Sequence, residues 1–325
     1  MPAFAAPIAA LMADALGPPL ARPLVGRLAL IGLGLIGSSI ARAARQQNLA
    51  GRIVAADRSQ AVLAKVRQLG LADEATDDAA EAARGADLVV LCVPVGACGA
   101  VAAEIAGALR PGAIVSDVGS VKAAVVAAVT PHLPEGVAFV PAHPVAGTEY
   151  SGPEAGFSTL FAGRWCILTP PEGVAGAVEQ VAAFWAAMGA RTETMTPEHH
   201  DLVLAITSHV PHLIAYNIVG TAADLEAVTS SEVIKFSAGG FRDFTRIAAS
   251  DPVMWRDIFL SNREAVLEML GRFNEDLAAL ARAIRWGEGE ALLDLFTRTR
   301  AIRRGIISLG QETPEPDFGR RREPG

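Results

Sequence analysis

The amino-acid sequence predicts an α/β fold, in which a doubly wound, mainly parallel sheet precedes an all-helical domain. Three observations support this. Short apolar runs alternate with alanine-rich stretches of helical length over 27–195, a glycine-rich motif joins the first run to the first such stretch, and only helical patterns follow Met195. The predicted segments are a flexible leader over 1–24, a sheet domain over 25–195, a helical domain over 196–310 and a disordered tail over 311–325.

The strands of the predicted sheet are short runs that are apolar throughout and rich in Val, Ile or Leu. Such runs are typical of parallel strands buried on both faces, whereas the stretches between them have helical length and composition. The predicted strands are 28–32, 52–57, 87–93, 113–118, 137–140 and 165–169, and the predicted helices include 37–48, 59–69 and 96–109.

The helical domain begins with a clear start signal. Thr196-Pro197-Glu198 combines a capping hydroxyl, a proline at the first helical position and an acid in the first turn. Beyond it we predict helices only, divided or kinked at Pro211, Gly239-Gly240 and Pro252, with one helix ending at Trp286-Gly287.

Composition and charge exclude several classes of protein. A net charge of −7 argues against a nucleic-acid surface, because phosphate binding requires clustered Lys and Arg. The three cysteines show neither an even count nor metal-ligand spacing, which predicts reduced core residues in a cytoplasmic protein without a metal site. The longest apolar run, Leu28–Ile36, is too short to span a bilayer, and the leader lacks the basic start of a secretory signal. We therefore predict a protein that associates with no membrane.

The glycine-rich motif predicts a dinucleotide site of the Rossmann type. Gly32, Gly34 and Gly37 have G-x-G-x-x-G spacing between a predicted strand and helix, and Asp57 follows Gly37 by twenty positions. An acid there binds the adenosine ribose and repels a 2′-phosphate, so NAD is favoured over NADP, although Arg58 partly offsets that repulsion. The alternative is a glycine-rich turn without a ligand. The other predicted cofactor contacts are Leu35, Ile36, Arg58, Val93, Pro94 and Ser120.

Two polar residues follow predicted strands at the sheet edge where α/β proteins bind ligands. Ser120 comes just after 113–118, and His143, held between two prolines, comes just after 137–140. A neutral histidine suits proton transfer near pH 7. The alternatives are that His143 is a packed core residue and that Ser120 has a capping or turn role before a helix.

The helical domain contributes a second polar group. His209 and His212 lie three positions apart, hence on one helix face, without a carboxylate or cysteine at metal-ligand spacing. Arg242, Asp243 and Arg246 fall within about one helical turn. This cluster is either a solvated face or a carboxylate-binding site, since arginine binds carboxylates in a bidentate manner.

Five stretches together resemble the prephenate/arogenate (cyclohexadienyl) dehydrogenases of tyrosine biosynthesis. They are GLGLIGSSIA, SDVGSVK, AHPVAGTEYSG, TSHVPH and GGFRDFTRIAASDPVMWRDI, and the likeness extends in the same order over about 27–305. The resemblance implies an oxidative decarboxylation of prephenate or arogenate, with hydride transfer to NAD. It also implies a homodimer formed through the helical domain.

The resemblance also implies roles for individual residues. His143 accepts the proton of the substrate hydroxyl, and Ser120 hydrogen-bonds near that hydroxyl and the nicotinamide. Arg246 holds a substrate carboxylate and His209 binds toward the substrate side chain. Further pocket residues implied in this way are Arg242, Asp243 and Trp255, together with Thr148 and Glu149 in a loop that gates the pocket and senses tyrosine as an inhibitor.

Some alternatives stay open at this stage. The choice between prephenate and arogenate depends on a carboxylate facing the substrate side chain, for which Glu149, Asp243 and Asp251 are candidates. One rival function is another NAD(P)-dependent dehydrogenase of the same plan, such as a β-hydroxyacid dehydrogenase, which requires a catalytic lysine. Lys235 is the only lysine after position 196. A second rival is a non-catalytic NAD-binding dimer, which needs none of the polar pocket residues.

Overall fold

A six-stranded parallel sheet organises the N-terminal part of the chain. The computed structural model describes residues 16–148, 150–229 and 238–308. The strands are β1 (Val25–Ile31), β2 (Ala50–Ala56), β3 (Glu74–Thr76), β4 (Leu88–Leu91), β5 (Ile114–Asp117) and β6 (Ala138–Val140). Their order is β3-β2-β1-β4-β5-β6, and every neighbouring pair is parallel. The order reverses between β1 and β4, as in doubly wound dinucleotide-binding sheets, and the predicted fold class is confirmed.

Helices connect these strands and predominate among the described residues after Thr194. The α-helices are α1 (Leu35–Gln46), α2 (Gln60–Gln68), α3 (Ala79–Ala83), α4 (Cys98–Ile105), α5 (Ala123–Val129), α6 (Ala175–Ala187), α7 (Pro197–Leu204), α8 (Val210–Thr229), α9 (Gly239–Thr245), α10 (Pro252–Ser261), α11 (Arg263–Trp286) and α12 (Gly289–Ser308). Short 3₁₀ segments are Val95–Ala97, Ala106–Ala108, Thr130–His132 and Arg246–Ala249, and a π-helical segment spans Ala205–His209.

The central strands are buried on both faces, as their uninterrupted apolar sequences predict. Leu28 and Leu30 of β1 belong to one core cluster, whereas Ala29 and Ile31 belong to a second. Successive side chains of a strand point to opposite faces, so β1 supports a hydrophobic layer on each side. Burying each large aliphatic side chain contributes about 1.5–3 kcal/mol to the stability of the fold, and this burial fixes the register of the strands.

A second, three-stranded sheet corrects the prediction for 165–169. β7 (Ala142–Pro144), β8 (Trp165–Leu168) and β9 (Arg191–Thr194) form it, with β7 antiparallel and β9 parallel to β8. The strand at 165–168 therefore exists but lies outside the main sheet. β3, β7 and β9 are missing from the prediction because they are only three or four residues long, and β9 is mostly polar and exposed.

The helix start at Thr196 is confirmed. The Thr196 hydroxyl accepts a hydrogen bond from the His199 amide at 3.2 Å, with Pro197 at the first helical position. Pro211 does not break the helical run, because the π-helical segment directly before it already leaves amides without their usual partners. Helix starts at Gly239 and Pro252 and a helix end at Trp286 agree with the prediction.

The chain forms two compact units, one ending at Val266 and one beginning at Leu267. Among the described residues the last strand ends at Thr194, and only helices follow it. The first unit nevertheless continues to Val266, because α7 packs on α5 and α10 packs on the segment Val95–Ala97. One described helical run, Pro197–Asp224, is long and apolar enough to cross a membrane by length and composition. The prediction that the protein associates with no membrane therefore stays a prediction.

The second unit consists of helix α11 from Leu267 onward and helix α12. Both helices carry large apolar side chains that are more than half exposed, namely Leu267, Leu277, Ile284, Trp286, Leu293, Phe296 and Ile302. Exposed apolar surface of this extent in helices is typical of a surface that meets another protein.

Candidate active site

A cavity of about 950 Å³ opens at the carboxyl ends of the central strands. Its walls come from the glycine-rich loop after β1, the ends of β2 and β4, the loop after β5, the segment from β7 to Gly152, and helices α7, α8 and α10. All of these lie in the first compact unit. Carboxyl-end cavities at the reversal of strand order are where open α/β sheets bind ligands.

The glycine-rich loop has the conformation that its spacing predicts. Gly32 has φ +94°, and a Cβ there would lie 2.5 Å from the Cys92 carbonyl oxygen. A Cβ at Gly37 would collide with the Gly32 carbonyl, whereas one at Gly34 would meet nothing within 4 Å. Gly32 therefore makes the turn and Gly37 allows close helix packing. Gly34 keeps the backbone open beside the start of α1, where amide groups favour phosphate.

The other predicted cofactor residues also line this part of the cavity, except Gly37, which packs behind it. Asp57 follows β2, and its carboxylate accepts hydrogen bonds from the amides of Leu33 and Ser59, each at 2.9 Å. Arg58 is largely exposed and forms an ion pair with Glu104 at 3.4 Å. The remaining lining residues from the prediction are Gly32, Gly34, Leu35, Ile36, Val93, Pro94 and Ser120.

His143 lies in β7 rather than in a loop, and one edge of its ring reaches the cavity. The side chain is 8% exposed. Its Nδ1 lies 2.8 Å from Nε2 of His200, whereas its own Nε2 shows no hydrogen bond to another described residue. Burial, followed by the charges of His200, Lys122 and His209, lowers the pKa of His143 well below 6.5. The imidazole is therefore neutral near pH 7, with one nitrogen engaged and one available.

His200 and Asp201 continue this chain of contacts away from the cavity. His200 Nδ1 lies 2.8 Å from Oδ1 of Asp201. Asp201 also accepts hydrogen bonds from the backbone amides of Lys122 at 2.7 Å and Ala123 at 2.9 Å. The side chains of His200 and Asp201 are both buried. These residues are absent from the prediction, because their partners lie about 57 to 79 positions away and His200-Asp201 resembles an ordinary polar helix turn.

A buried ion pair between Lys122 and Asp117 contacts strand β7. The ammonium of Lys122 donates to the carboxylate of Asp117 and, at 2.7 Å, to the Ala142 carbonyl, and both charged side chains are fully buried. Asp117 also accepts from the amides of Gly119 at 2.8 Å and Ala142 at 3.2 Å. The ion pair thus connects β5, the loop after it and the strand that carries His143. It too is absent from the prediction.

Ser120 lines the cavity but does not cap a helix. Helix α5 begins at Ala123, and the residue at its N-cap is Lys122, without a side-chain cap. The capping alternative for Ser120 is therefore wrong. His143 lines the cavity but is also buried, so its role as a proton acceptor stays a prediction.

Only one of the two histidines of the TSHVPH stretch lines the cavity, although both rings contact Trp255. His209 is fully buried and does not line the cavity. Its Nδ1 lies 3.1 Å from the amide nitrogen of Asn262. Burial, with His200 and His212 adding to it and Asp201 opposing it, lowers the pKa of His209 to about 4. Since both rings contact Trp255, the two histidines share one side of the helical run, as their spacing predicts, and the substrate contact implied for His209 stays a prediction.

His212 reaches the cavity in place of His209. Its ring stacks on Trp255 with centroids 3.7 Å apart, and its Nδ1 donates to the Ser208 carbonyl at 2.9 Å. Burial, together with Arg246, lowers the pKa of His212. Trp255 is itself buried against the cavity, and its Nε1 has no hydrogen-bond partner within the described residues.

Only part of the segment from Arg242 to Arg246 lines the cavity. Arg246 lines the cavity, as do Thr148 and Asp251. Arg242 and Asp243 do not line it and form an ion pair with each other at 3.5 Å, with the Arg242 side chain 70% exposed. The pocket role implied for Arg242 and Asp243 therefore lacks support, because helix α9 turns both away. Glu149 and Lys235 lie outside the described residues.

The described residues contain no group of three or more His, Cys, Asp or Glu side chains placed to hold a metal ion. The three cysteines are free thiols, two of them buried, in agreement with their prediction as reduced core residues. The chemistry available at this cavity is therefore proton transfer by imidazole, binding of anions by arginine and backbone amides, and binding of a dinucleotide.

Comparisons with known proteins agree with this arrangement. Residues 40–194 match a family described as "Prephenate dehydrogenase, nucleotide-binding domain", and residues 196–298 match "Prephenate dehydrogenase, dimerization domain". The cyclohexadienyl dehydrogenase of Zymomonas mobilis is 45% identical over 85% of this chain and 94% of that protein. The prephenate dehydrogenase of Bacillus subtilis is 34% identical over 89% of this chain and 78% of that protein.

A solved structure is similar over most of the chain. It is the prephenate dehydrogenase of Aquifex aeolicus in complex with hydroxyphenyl propionate and NAD+, with a TM-score of 0.81 and 34% identity. The match covers 86% of this chain and 98% of that one. The likeness includes both the sheet and the helices that surround the cavity.

Proposed function

Because the chain belongs to the prephenate dehydrogenase family, we propose that it oxidises and decarboxylates prephenate and arogenate with NAD. The products are 4-hydroxyphenylpyruvate and tyrosine, each formed with CO₂. One observation carries the proposal. His143, with Nε2 available, lines the same cavity as Arg246 and as the glycine-rich loop with Asp57. A proton acceptor, a carboxylate-binding group and a dinucleotide site therefore meet in one space.

The loop after β1 fits the cofactor. The open space beside Gly34 admits a pyrophosphate to the backbone, and the amide groups at the start of α1 face it. Asp57, held by two amides, is placed to accept from the adenosine ribose hydroxyls and to repel a 2′-phosphate. Glu104 partly neutralises the charge of Arg58, which is then less available to a 2′-phosphate, so NAD is favoured over NADP. When bound, NAD supplies the hydride acceptor.

His143 acts as the general base in this proposal. A neutral imidazole with Nε2 available can accept the proton of the ring hydroxyl as hydride leaves the carbon that bears it. Flanking prolines and the pairing of β7 with β8 hold the ring in place. Such rigidity matters, because a shift of about 1 Å in a reacting group can lower the rate about 100-fold. Ser120, also in the wall, is placed to orient the hydroxyl.

The substrate's charged groups find partners on the opposite wall. We assign a carboxylate to Arg246, whose guanidinium suits bidentate binding. The contact that the resemblance implies for His209 is assigned instead to His212, because only His212 lines the cavity. The unpartnered Nε1 of Trp255 is a further donor for the substrate. Asp251 is the described carboxylate in this wall that can face the ammonium group of arogenate.

We also propose that the protein is a homodimer. The family domain over 196–298 is a dimerisation domain, and α11 and α12 expose a series of large apolar side chains within it or beside it. A second copy of the chain would cover such a face with the matching face of its own helices. The apolar, partly exposed helical run Pro197–Asp224 is explained in the same way, without a membrane.

A rate assay tests the proposed function. Purified protein is mixed with NAD or NADP and with prephenate or arogenate, and reduced nicotinamide is followed by absorbance. We expect turnover with NAD and both acids, and a loss of about 10²- to 10⁴-fold in kcat in His143→Asn. The exposed His132 provides a matched control, since His132→Asn should leave the rate unchanged. NAD binding without turnover for any of the pairs would contradict the proposal and favour a non-catalytic NAD-binding protein.

A further inference from the structure

We propose that His200 is the positioning residue for His143, holding the base in the tautomer whose Nε2 lone pair faces the cavity. Asp201 fixes the orientation and tautomer of His200, and His200 fixes those of His143. The inference rests on the proposed function in one respect, namely that His143 accepts the substrate proton. The arrangement of the three side chains stands on the geometry alone.

The direction of these hydrogen bonds follows from Asp201. Its carboxylate already accepts from the backbone amides of Lys122 and Ala123, at 2.7 and 2.9 Å. An ionised carboxylate has no hydrogen to donate, so in the 2.8 Å contact with His200 the Nδ1 of the imidazole must carry the proton. A neutral His200 then has a lone pair on Nε2.

The same argument passes to His143 across the next contact. The Nε2 lone pair of His200 accepts, so Nδ1 of His143 donates across 2.8 Å. A neutral imidazole carries one N–H, and Nε2 of His143 is then the nitrogen with a lone pair. The other tautomer would present an N–H to the substrate hydroxyl and could not accept its proton. Two buried residues thus select the reactive form of the base.

The surroundings of the pair keep both rings neutral before reaction. His143 is 8% exposed and His200 fully buried, so both lose hydration if charged. The charged and titratable groups near them are Lys122 after β5, Asp117 in β5, Asp201 beside His200 and His209 in the π-helical segment. Burial lowers the pKa of His200, with Lys122 in the same direction and Asp201 and Asp117 opposing.

The proton and electron balance closes with the substrate and NAD alone, because the ring carboxylate leaves as CO₂, the electron pair of the broken C–C bond passes through the ring to the oxygen, and that oxygen takes the proton back from His143. The substrate O–H bond breaks, and its proton forms an N–H bond at Nε2 of His143 as the hydride leaves with its electron pair to NAD, as in the proposed function. The Nδ1 proton of His143 is then shared with, or passed to, Nε2 of His200. The positive charge comes to lie beside the carboxylate of Asp201, away from the cavity.

The tautomer can be measured without substrate. The chain contains six histidines, so protein labelled with ¹⁵N only in histidine gives few imidazole signals. We expect the His143 signals, assigned by their loss in His143→Asn, to show a protonated Nδ1 and an unprotonated Nε2 near pH 7.5. A protonated Nε2 in the unmodified protein would overturn the inference, whatever the substrate is.

Two variants of His200 separate positioning from packing. An Asn amide reaches about as far as Nδ1, so His200→Asn keeps a donor for Asp201 but removes the acceptor for His143. A Gln side chain reaches about as far as Nε2, so His200→Gln can supply a carbonyl oxygen to Nδ1 of His143. We expect kcat to fall about 100-fold or more in the Asn variant, with KM changed less than about threefold, and to recover to within about tenfold in the Gln variant.

The neighbouring His199 is the matched control, because it is exposed on the same helix turn. His199→Asn should match the unmodified protein in kcat and thermal stability. A kcat of His200→Asn within threefold of His199→Asn would overturn the proposal. If His200→Asn fails to fold or to bind NAD, the ¹⁵N signals of the unmodified protein decide. A protonated Nδ1 in a protein that turns over neither acid would support the inference and refute the proposed function.

Discussion

Lys122→Met removes the cation of the buried ion pair and leaves the carboxylate of Asp117 without its main partner. Lys122 is fully buried and contacts both Asp117 and the Ala142 carbonyl. Methionine has a similar length and no charge, so the change removes charge with little change in packing volume. The variant therefore measures what the pair contributes to the stability of the strand that carries His143.

The expected magnitude follows from the contacts that remain. Removing one partner of a buried ion pair typically costs about 3–5 kcal/mol, because the other charge is left without compensation. Asp117 still accepts from the Gly119 and Ala142 amides, which places the expected loss near the lower end, about 3 kcal/mol. At roughly 1–2 °C per kcal/mol for a chain of 325 residues, the melting temperature should fall by about 3–6 °C.

Urea denaturation of four proteins tests this reasoning: the unmodified chain, Lys122→Met, Asp117→Asn and the double variant. Removing both charges leaves no uncompensated ion, so the double variant should be more stable than the sum of the two single losses predicts, by at least about 1 kcal/mol. Additive losses would show that the two charges do not interact. A free energy of unfolding for Lys122→Met within about 0.5 kcal/mol of the unmodified protein would refute the argument.

Three further predictions concern pH, substrate binding and inhibition. The folded-state pKa of His209, about 4, lies below the unfolded value of 6.5, so the unfolded state binds more protons between these two pH values. The free energy of unfolding should therefore fall by up to about 3 kcal/mol as the pH decreases from 6.5 toward 4. Denaturant titrations at pH 7.5, 5.5 and 4.5 should show a weaker pH dependence of stability in His209→Gln than in the unmodified chain. Arg246→Lys should raise KM for either acid about tenfold, because bidentate binding of the carboxylate is lost. Arg242 lies outside the cavity wall, so Arg242→Lys should leave KM unchanged. Equal effects of the two substitutions would contradict the assignment of the carboxylate to Arg246. Tyrosine should compete with substrate, and Thr148→Ala should weaken that competition; a rate unchanged at saturating tyrosine would contradict the proposed role of this loop.

The sheet and the cofactor loop are predictable from sequence because their signals are local. A continuously apolar run can only be a strand buried on both faces or a buried helix, and glycine spacing after such a run selects the strand. Gly32 and Gly37 lie where their lack of a side chain is required. His143 is identified as a candidate by its position between two prolines beyond an apolar run, and its role stays a prediction.

The remaining parts of the site depend on long-range contacts that leave no local pattern. His200-Asp201 is a polar pair near the start of a helix, and nothing nearby indicates that its partner is His143. Lysine is usually exposed, so sequence gives no indication that Lys122 is buried. Whether His209 or His212 lines the cavity depends on how their helical run packs, which hydrophobic periodicity does not report.

The proposed catalytic base and the residues that we propose to hold it come from different family domains. His143 lies in the nucleotide-binding domain, over 40–194, whereas His200 and Asp201 lie in the domain over 196–298. Asp201 also accepts from the amides of Lys122 and Ala123, so one carboxylate both attaches helix α7 to the sheet domain and orients the histidine pair. Any movement of α7 that breaks these bonds also removes the tautomer control of His143. The helices therefore do more than close the cavity, because the alignment of the base depends on their attachment to the sheet.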